Sequence, residues 1–318
     1  MKKKRKAVVV VVVLIFVISM IFGGDSGDSG ETKDVVGISE EGAASAEEGG
    51  QEDTVQAEGG EQSAESGSGA GDVTIEEQVL LDQDGILITA MEYASDSIWG
   101  DGIRLLLENN SDRTVTVGCK ALIVNHYMIT DLFSAEVAAG KKANEVMYLS
   151  NSELKAAGID TVGQVEVYFQ IFDSESFDTI LESDCVTIKT SGFEEMDTTP
   201  DDLGTELYQA DGIRIVGKTV DEDSFWGTAI LLYCENTSGK HVGISVEEMS
   251  VNGFMMNPLF STTVYDGKMA LDEITLLSSD LEANGIEAIE EVELKFHIYD
   301  ADSYSTIADS EAITFSAR

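Results

Sequence analysis

Residues 100–117 read GDGIRLLLENNSDRTVTV, and residues 227–244 read GTAILLYCENTSGKHVGI. In each, apolar residues occupy every second place. The first stretch has Ile103, Leu105 and Leu107, then Val115 and Val117. The second has Ile230, Leu232 and Cys234, then Val242 and Ile244. A period of two belongs to a strand with one face on a core. Between the two runs stands Glu108-Asn109-Asn110-Ser111 or Glu235-Asn236-Thr237-Ser238. Asn and Ser favour turns by bonding nearby backbone. The stretch therefore predicts strand, turn, strand, written twice.

The match extends outward from this motif. Residues 84–190 align on 211–317 at a constant offset of 127 without a gap, and 40 of the 107 pairs are identical. Ordinary composition alone would give roughly 6%. The chain is a tandem duplication, and residues held in both copies are those the shared fold needs. Parity agrees along the whole length. Ile86 and Ile88 answer to Ile213 and Ile215, Met147 and Leu149 to Ile274 and Leu276. Val165, Val167, Phe169 and Ile171 answer to Val292, Leu294, Phe296 and Ile298, and Val186 and Ile188 to Ile313 and Phe315. Asp84-Gly85, Asp211-Gly212, Asn252-Gly253, Gly140-Lys141 and Gly267-Lys268 mark turns. Seven to nine short strands in about 110 residues predict an antiparallel sandwich. One short helix interrupts each copy, Ser152–Ala157 before Gly158 and Ser279–Asn284 before Gly285, with Ser as N-cap and Gly past the end.

The Glu-Asn-x-Ser turns (Glu108–Ser111, Glu235–Ser238) and the apolar strands running from them into Val124-Asn125 or Val251-Asn252 resemble a known group. They are similar to the immunoglobulin-like domains of uncharacterised surface proteins and lipoproteins of Gram-positive bacteria. The resemblance covers about 75–318 and implies two tandem immunoglobulin-like β-sandwiches, each with a short crossover helix. Unlike the lipoproteins, this chain has no Cys directly following its N-terminal apolar run.

The domain reading follows: a basic head at 1–6, an apolar segment at 7–24, a linker at 25–73, domain one at 74–190, a connector at 191–204 and domain two at 205–318. Lys and Arg at 2–6 precede AVVVVVVLIFVISMIF. Basic residues ahead of an apolar run stay inside, so the rest is exported. Sixteen residues make about 24 Å of helix, short of a core of about 30 Å. No small-x-small cleavage site follows, which predicts an uncleaved transmembrane signal anchor; the alternative is secretion after cleavage. The Gly-, Ser- and Glu-rich linker lacks the apolar residues to fold and reads as a disordered acidic stalk reaching roughly 40 Å. Formal charge is −41. Both domains are acidic, which disfavours nucleic acid and anionic headgroups. The expected partners are the membrane, through the N-terminal helix, and an extracellular protein or glycan.

Chemistry-bearing residues are few. His126, His241 and His297 are each replaced in the other copy, by Gly253, Thr114 and Gln170. They form no nucleophile–base pattern and no His/Cys metal spacing. No enzyme, cofactor or metal is expected. Cys119, Cys185 and Cys234 are likewise unmatched, and a Cys119–Cys185 bridge would join opposite faces of strands. The acidic turns Asp173–Asp178 and Asp300–Ser305 could ligate calcium, although Asp and Ser also build turns unaided. Asp96-Ser97-Ile98-Trp99-Gly100 recurs as Asp223-Ser224-Phe225-Trp226-Gly227, containing both tryptophans. A Trp in that place can plug a core or offer a stacking platform. The hairpin tips with Tyr127 and Phe254 pose the same question. Trp99, Trp226, Tyr127 and Phe254 are therefore the candidate binding residues. The functional expectation is a non-catalytic surface module, binding or structural. Its alternatives are a calcium- or carbohydrate-dependent adhesin and, third, an extracellular enzyme.

Overall fold

The fold is seen in a computed structural model that describes residues 73–96, 100–224 and 227–316. The expected signal anchor and stalk lie outside these residues. The first copy contains β1 (Gln78–Gln83), β2 (Ile86–Asp96), β3 (Gly100–Asn109), β4 (Val115–Val124) and β5 (Tyr127–Ile129). It continues with β6 (Ser134–Val137), β7 (Lys141–Tyr148), α1 (Asn151–Ala156), β8 (Gln164–Asp173), β9 (Thr179–Glu182) and β10 (Val186–Lys189). The second copy repeats the series as β11 (Thr205–Ala210), β12 (Ile213–Ser224), β13 (Gly227–Asn236), β14 (Val242–Val251) and β15 (Phe254–Met255). Then come β16 (Ser261–Val264), β17 (Lys268–Leu277), α2 (Ser278–Ala283), β18 (Glu291–Asp300), β19 (Thr306–Asp309) and β20 (Ile313–Ser316). Every element begins at the same offset of 127 that the sequences show. A short 3-10 turn, Phe193–Glu195, lies in the connector.

The molecule is all-β, and within each copy the strand pairs are antiparallel. In the first copy β1-β2-β3-β7 form one sheet, while β10-β8-β4-β5, with β6 on β4 and β9 on β8, form the facing one. The second copy matches: β11-β12-β13-β17 against β15-β14-β18-β19, with β16 on β14 and β20 on β18. The alternating residues meet between the sheets. Phe169 and Phe296, at equivalent positions, are wholly buried in the two cores with the aliphatic residues of the opposing strands. Each such side chain contributes roughly 1.5–3 kcal/mol by leaving water.

Turn chemistry follows the sequence. Asp84-Gly85 and Asp211-Gly212 both take positive φ in succession, as do Asn252-Gly253. Paired positive φ values fit the hairpin turns whose twist matches that of the strands. The first copy places His126 at φ +71 where the second has Gly253.

Three features depart from expectation. The helices start one residue earlier than predicted, and neither Ser152 nor Ser279 is the cap. Ser150 and Leu277 hold those places without a side-chain cap bond. Helices this short are held by packing, Leu154 and Leu281 being buried, so a cap is dispensable. Each copy has ten strand segments rather than seven to nine, several of them only two to four residues long, and one long strand in each carries a bulge. That bulge lies in β4 between Cys119 and Ala121 and in β14 between Glu247 and Ser250. It moves the inward face from Val115 and Val117 to Leu122 and Val124, and turns Ala121 and Ile123 outward.

The third departure concerns the relation of the copies. The sequence predicts two independent beads on a short connector. Instead both fall within one compact unit, Gly67–Arg318. Strand β5 pairs with β4 on one side and, in parallel, with β17 of the second copy on the other. A single ten-stranded sheet therefore runs through both copies.

Candidate functional site

The sequence-predicted candidates sit in different surroundings. Trp99 and Trp226 lie outside the described residues. The glycines that follow them are described, and both are confined. A Cβ on Gly100 would stand 2.1 Å from the Asn151 side-chain nitrogen, and one on Gly227 would stand 2.0 Å from the Leu276 carbonyl oxygen. The recurring Trp-Gly thus has a packing reason at its glycine. Tyr127 is only 3% exposed, and its hydroxyl accepts from the Asp201 N–H at 3.4 Å. It belongs to a core. Phe254, its counterpart, is 47% exposed, and Met255 beside it 68%.

Tyr127 is buried because the second copy covers it. The core cluster of the first copy also takes in Val216, Tyr233 and Met269 of the second. The pairing sets Tyr127 beside Met269 and Met128 beside Ala270, and the Met269 N–H donates to the His126 carbonyl at 3.0 Å. Tyr233 is fully buried here, and its hydroxyl has no partner. Burial pushes that phenol upward from its ordinary range.

On the other side of the strand pair lies an ion pair. The Lys268 amine donates to Glu166 Oε2 at 2.6 Å, with both side chains largely buried, and lies 3.5 Å from His126 Nδ1. The two copies also meet in a ring cluster. Tyr265 stacks on His241 at 3.8 Å between centroids and meets Tyr168 edge-on at 4.9 Å, over Ala121 and Ile123. These outward residues exist because of the bulge in β4. Ala121, Ile123 and Tyr168 come from the first copy, His241 and Tyr265 from the second.

The junction leaves an open cleft of about 590 Å³ that neither copy could form alone. Its lining includes the apolar Met128, Leu231 and Leu271, with Thr130 and Glu153 from the first copy and Asp272 from the second. Glu153 accepts from the Thr130 N–H at 2.7 Å, which holds the part of the lining from α1 in place. Burial pushes the Asp272 carboxyl above its ordinary range. Bonds from the Glu273 N–H and Thr262 oppose this, and the nearby Glu153 and Glu273 charges reinforce it. Hydroxyls and carboxylates among apolar side chains suit a small polar ligand with one apolar face.

Other candidates resolve into structure. Asp173 Oδ1 accepts from the Glu175 and Ser176 N–H groups, and Asp300 Oδ1 from those of Asp302 and Ser303. The Ser303 N–H, then Lys240, hold the Asp300 carboxyl down to about 2. The repeated asparagines are clamps as well. Asn109 donates to Arg113 and Val137 carbonyls and accepts from the Ser111 N–H; Asn236 does the same with Lys240, Val264 and Ser238. All three cysteines are free thiols.

Sequence reasoning missed the junction residues because it looked for agreement between the copies. The signal was disagreement. Ala121, Ile123 and Tyr168 of the first copy stand against Glu248, Ser250 and Lys295 of the second.

No family model matches this chain, and no curated protein does. Solved structures with some likeness include the Salmonella enterica SafA pilin in complex with the SafB chaperone. It shows 10% identity over 68% of this chain and 88% of that one, at a TM-score of 0.21. The exo-chitosanase CsxA of Amycolatopsis orientalis shows 12% identity over 71% of this chain and 26% of its own, at 0.23. A protein of unknown function from Porphyromonas gingivalis shows 11% over 68% and 89%, at 0.18. At such scores none of them informs the function of this chain.

Proposed function

We propose that this chain is a non-catalytic module of the cell surface, tethered by its N-terminal apolar segment. Its two immunoglobulin-like sandwiches would hold an extracellular glycan or protein segment in the cleft between them. The observation that carries this reading is the cleft at the junction, which takes its lining from both copies and so exists only where the two are joined. Leu231 answers to Arg104, Thr262 to Ala135 and Asp272 to Glu145. A calcium-dependent adhesin has less support, since Asp173 and Asp300 already direct their carboxylates at their own turns.

The test is a glycan and peptide array probed with the full chain beside Leu231→Arg, which puts the first copy's residue in the cleft lining. The expected result is a ligand bound by the wild type and lost from the variant, with the unfolding midpoint unchanged. Binding that survives Leu231→Arg would move the site elsewhere. Fractionation of expressing cells tests the tether: the chain should stay with the membrane and be open to added protease on intact cells. A soluble secreted form would overturn that part.

A further inference from the structure

We infer that the junction between the two copies does not propagate, and that the outer faces of both copies refuse the same docking by another copy of this chain. The geometry alone does not impose this. The contact is head-to-tail, with β5 of one copy laid along β17 of the next. A heterologous contact has no symmetry to close it and, repeated between chains, generates open filaments. The molecule retains both halves needed: the β15 tip on the second copy and the β7 edge on the first.

The residues decide. The tip and the ion pair are kept in kind, with Phe254 for Tyr127, Met255 for Met128, Lys141 for Lys268 and Glu293 for Glu166. Six of the side chains that seal the internal junction are not. Ala121, Ile123 and Tyr168 become Glu248, Ser250 and Lys295 on the outer face of the second copy. There Glu248 and Lys295 pair with each other. His241, Tyr265 and Met269 become Thr114, Ala138 and Lys142 on the open edge of the first copy, and Lys142 is paired with Glu108 at 2.7 Å. A second chain docking here would desolvate two ion pairs without gaining the ring stack or the apolar seal. Removing paired charges from water without good new partners is unfavourable. Arrays of repeats end in a domain with a polar outer face, and lysine on an open strand edge guards against pairing. The outer face of the second copy and the open edge of the first both carry such protection.

The test reads the protein mass of the full chain in detergent by light scattering over a dilution series. The wild type should give one chain, 34.2 kDa, at every concentration. A variant with Glu248→Ala, Ser250→Ile, Lys295→Tyr, Thr114→His, Ala138→Tyr and Lys142→Met restores the junction surface at both ends. Its mass should grow with concentration. A reciprocal variant, Ala121→Glu, Ile123→Ser and Tyr168→Lys, puts the terminal surface inside the chain. There the Met269 amide should exchange with solvent at least about tenfold faster, as its bond to His126 opens. A wild-type mass that rises with concentration and falls back to one chain in Phe254→Asp would overturn the inference. So would a folded six-site variant that stays single. Where that variant does not fold, the Met269 amide decides: unchanged protection means these side chains do not seal the junction, and the inference fails.

Discussion

Asp131 shows how one residue of a duplicated pair drifts from its partner. It stands half-buried between β5 and β6, where the second copy has Pro258. Its carboxylate accepts from the Phe133 N–H at 2.8 Å. Burial pushes it up to about 6, against bonds from Phe133 and Cys119 that pull it down. The folded-state value lies above the ordinary one, so the fold prefers the protonated acid. Stability from this site is complete at acid pH and is lost as pH rises through about 6. Asp131→Asn removes the charge and keeps the shape. The wild type should lose about 1–2 kcal/mol relative to the variant between about pH 5 and about pH 8, read by urea unfolding at each pH. A difference that does not change with pH would mean the carboxyl is free to ionise in the fold. The asparagines illustrate the opposite case. Asn125 and Asn252 each donate to a carbonyl, of Thr161 and Ala288, and accept from two successive N–H groups. They are held in both copies because each asparagine satisfies three backbone groups of the facing segment at once.

At the scale of elements, alternation was legible because a half-buried strand needs it, and turns were legible because positive φ selects Asp, Asn and Gly. The bulge in β4 was not. Period two continues on either side of it, and only the shift from Val117 to Leu122 and Val124 betrays it. Nor was the pairing of β5 with β17, since two residues of parallel ladder leave no pattern. The cleft followed from that pairing and was invisible for the same reason. What holds the two elements together can be apportioned. Lys268 and Glu166 face each other with 13% and 11% of their side chains exposed. Removing one partner from such a pair leaves a buried charge, so Lys268→Ala should cost about 3–5 kcal/mol. Replacing both, as Lys268→Met with Glu166→Leu, should be nearly neutral, because apolar side chains of similar volume suit the neighbouring rings. Denaturant unfolding of the two variants makes the comparison. If the double variant is as unstable as the single, the pair itself, and not the unpaired charge, is what the junction needs.

For the whole molecule the duplication misleads in one respect. Equal copies suggest equal and separate domains, and the hydrophobic pattern of each is complete. Yet Tyr127 is buried only because Val216, Tyr233 and Met269 of the second copy close over it, with Ala121 and Ile123 under Tyr265. Cutting the chain after the first copy would return those faces to water, at roughly 1.5–3 kcal/mol for each large side chain re-exposed. Residues 73–192 keep their own inter-sheet core, centred on Phe169, and the Thr74–Ser191 bond that ties their ends. The isolated copy should therefore fold and show a strand spectrum. It should melt at least about 5 °C below the same copy in the full chain, as the loss of one or more kcal/mol requires at this size. The full chain should melt in one transition, because the first copy cannot open without uncovering the second. Scanning calorimetry of both decides between the alternatives. Two transitions in the full chain, with the isolated copy melting at the lower of them, would restore the picture of independent beads. They would also make the cleft a chance gap between domains rather than a built feature of one molecule.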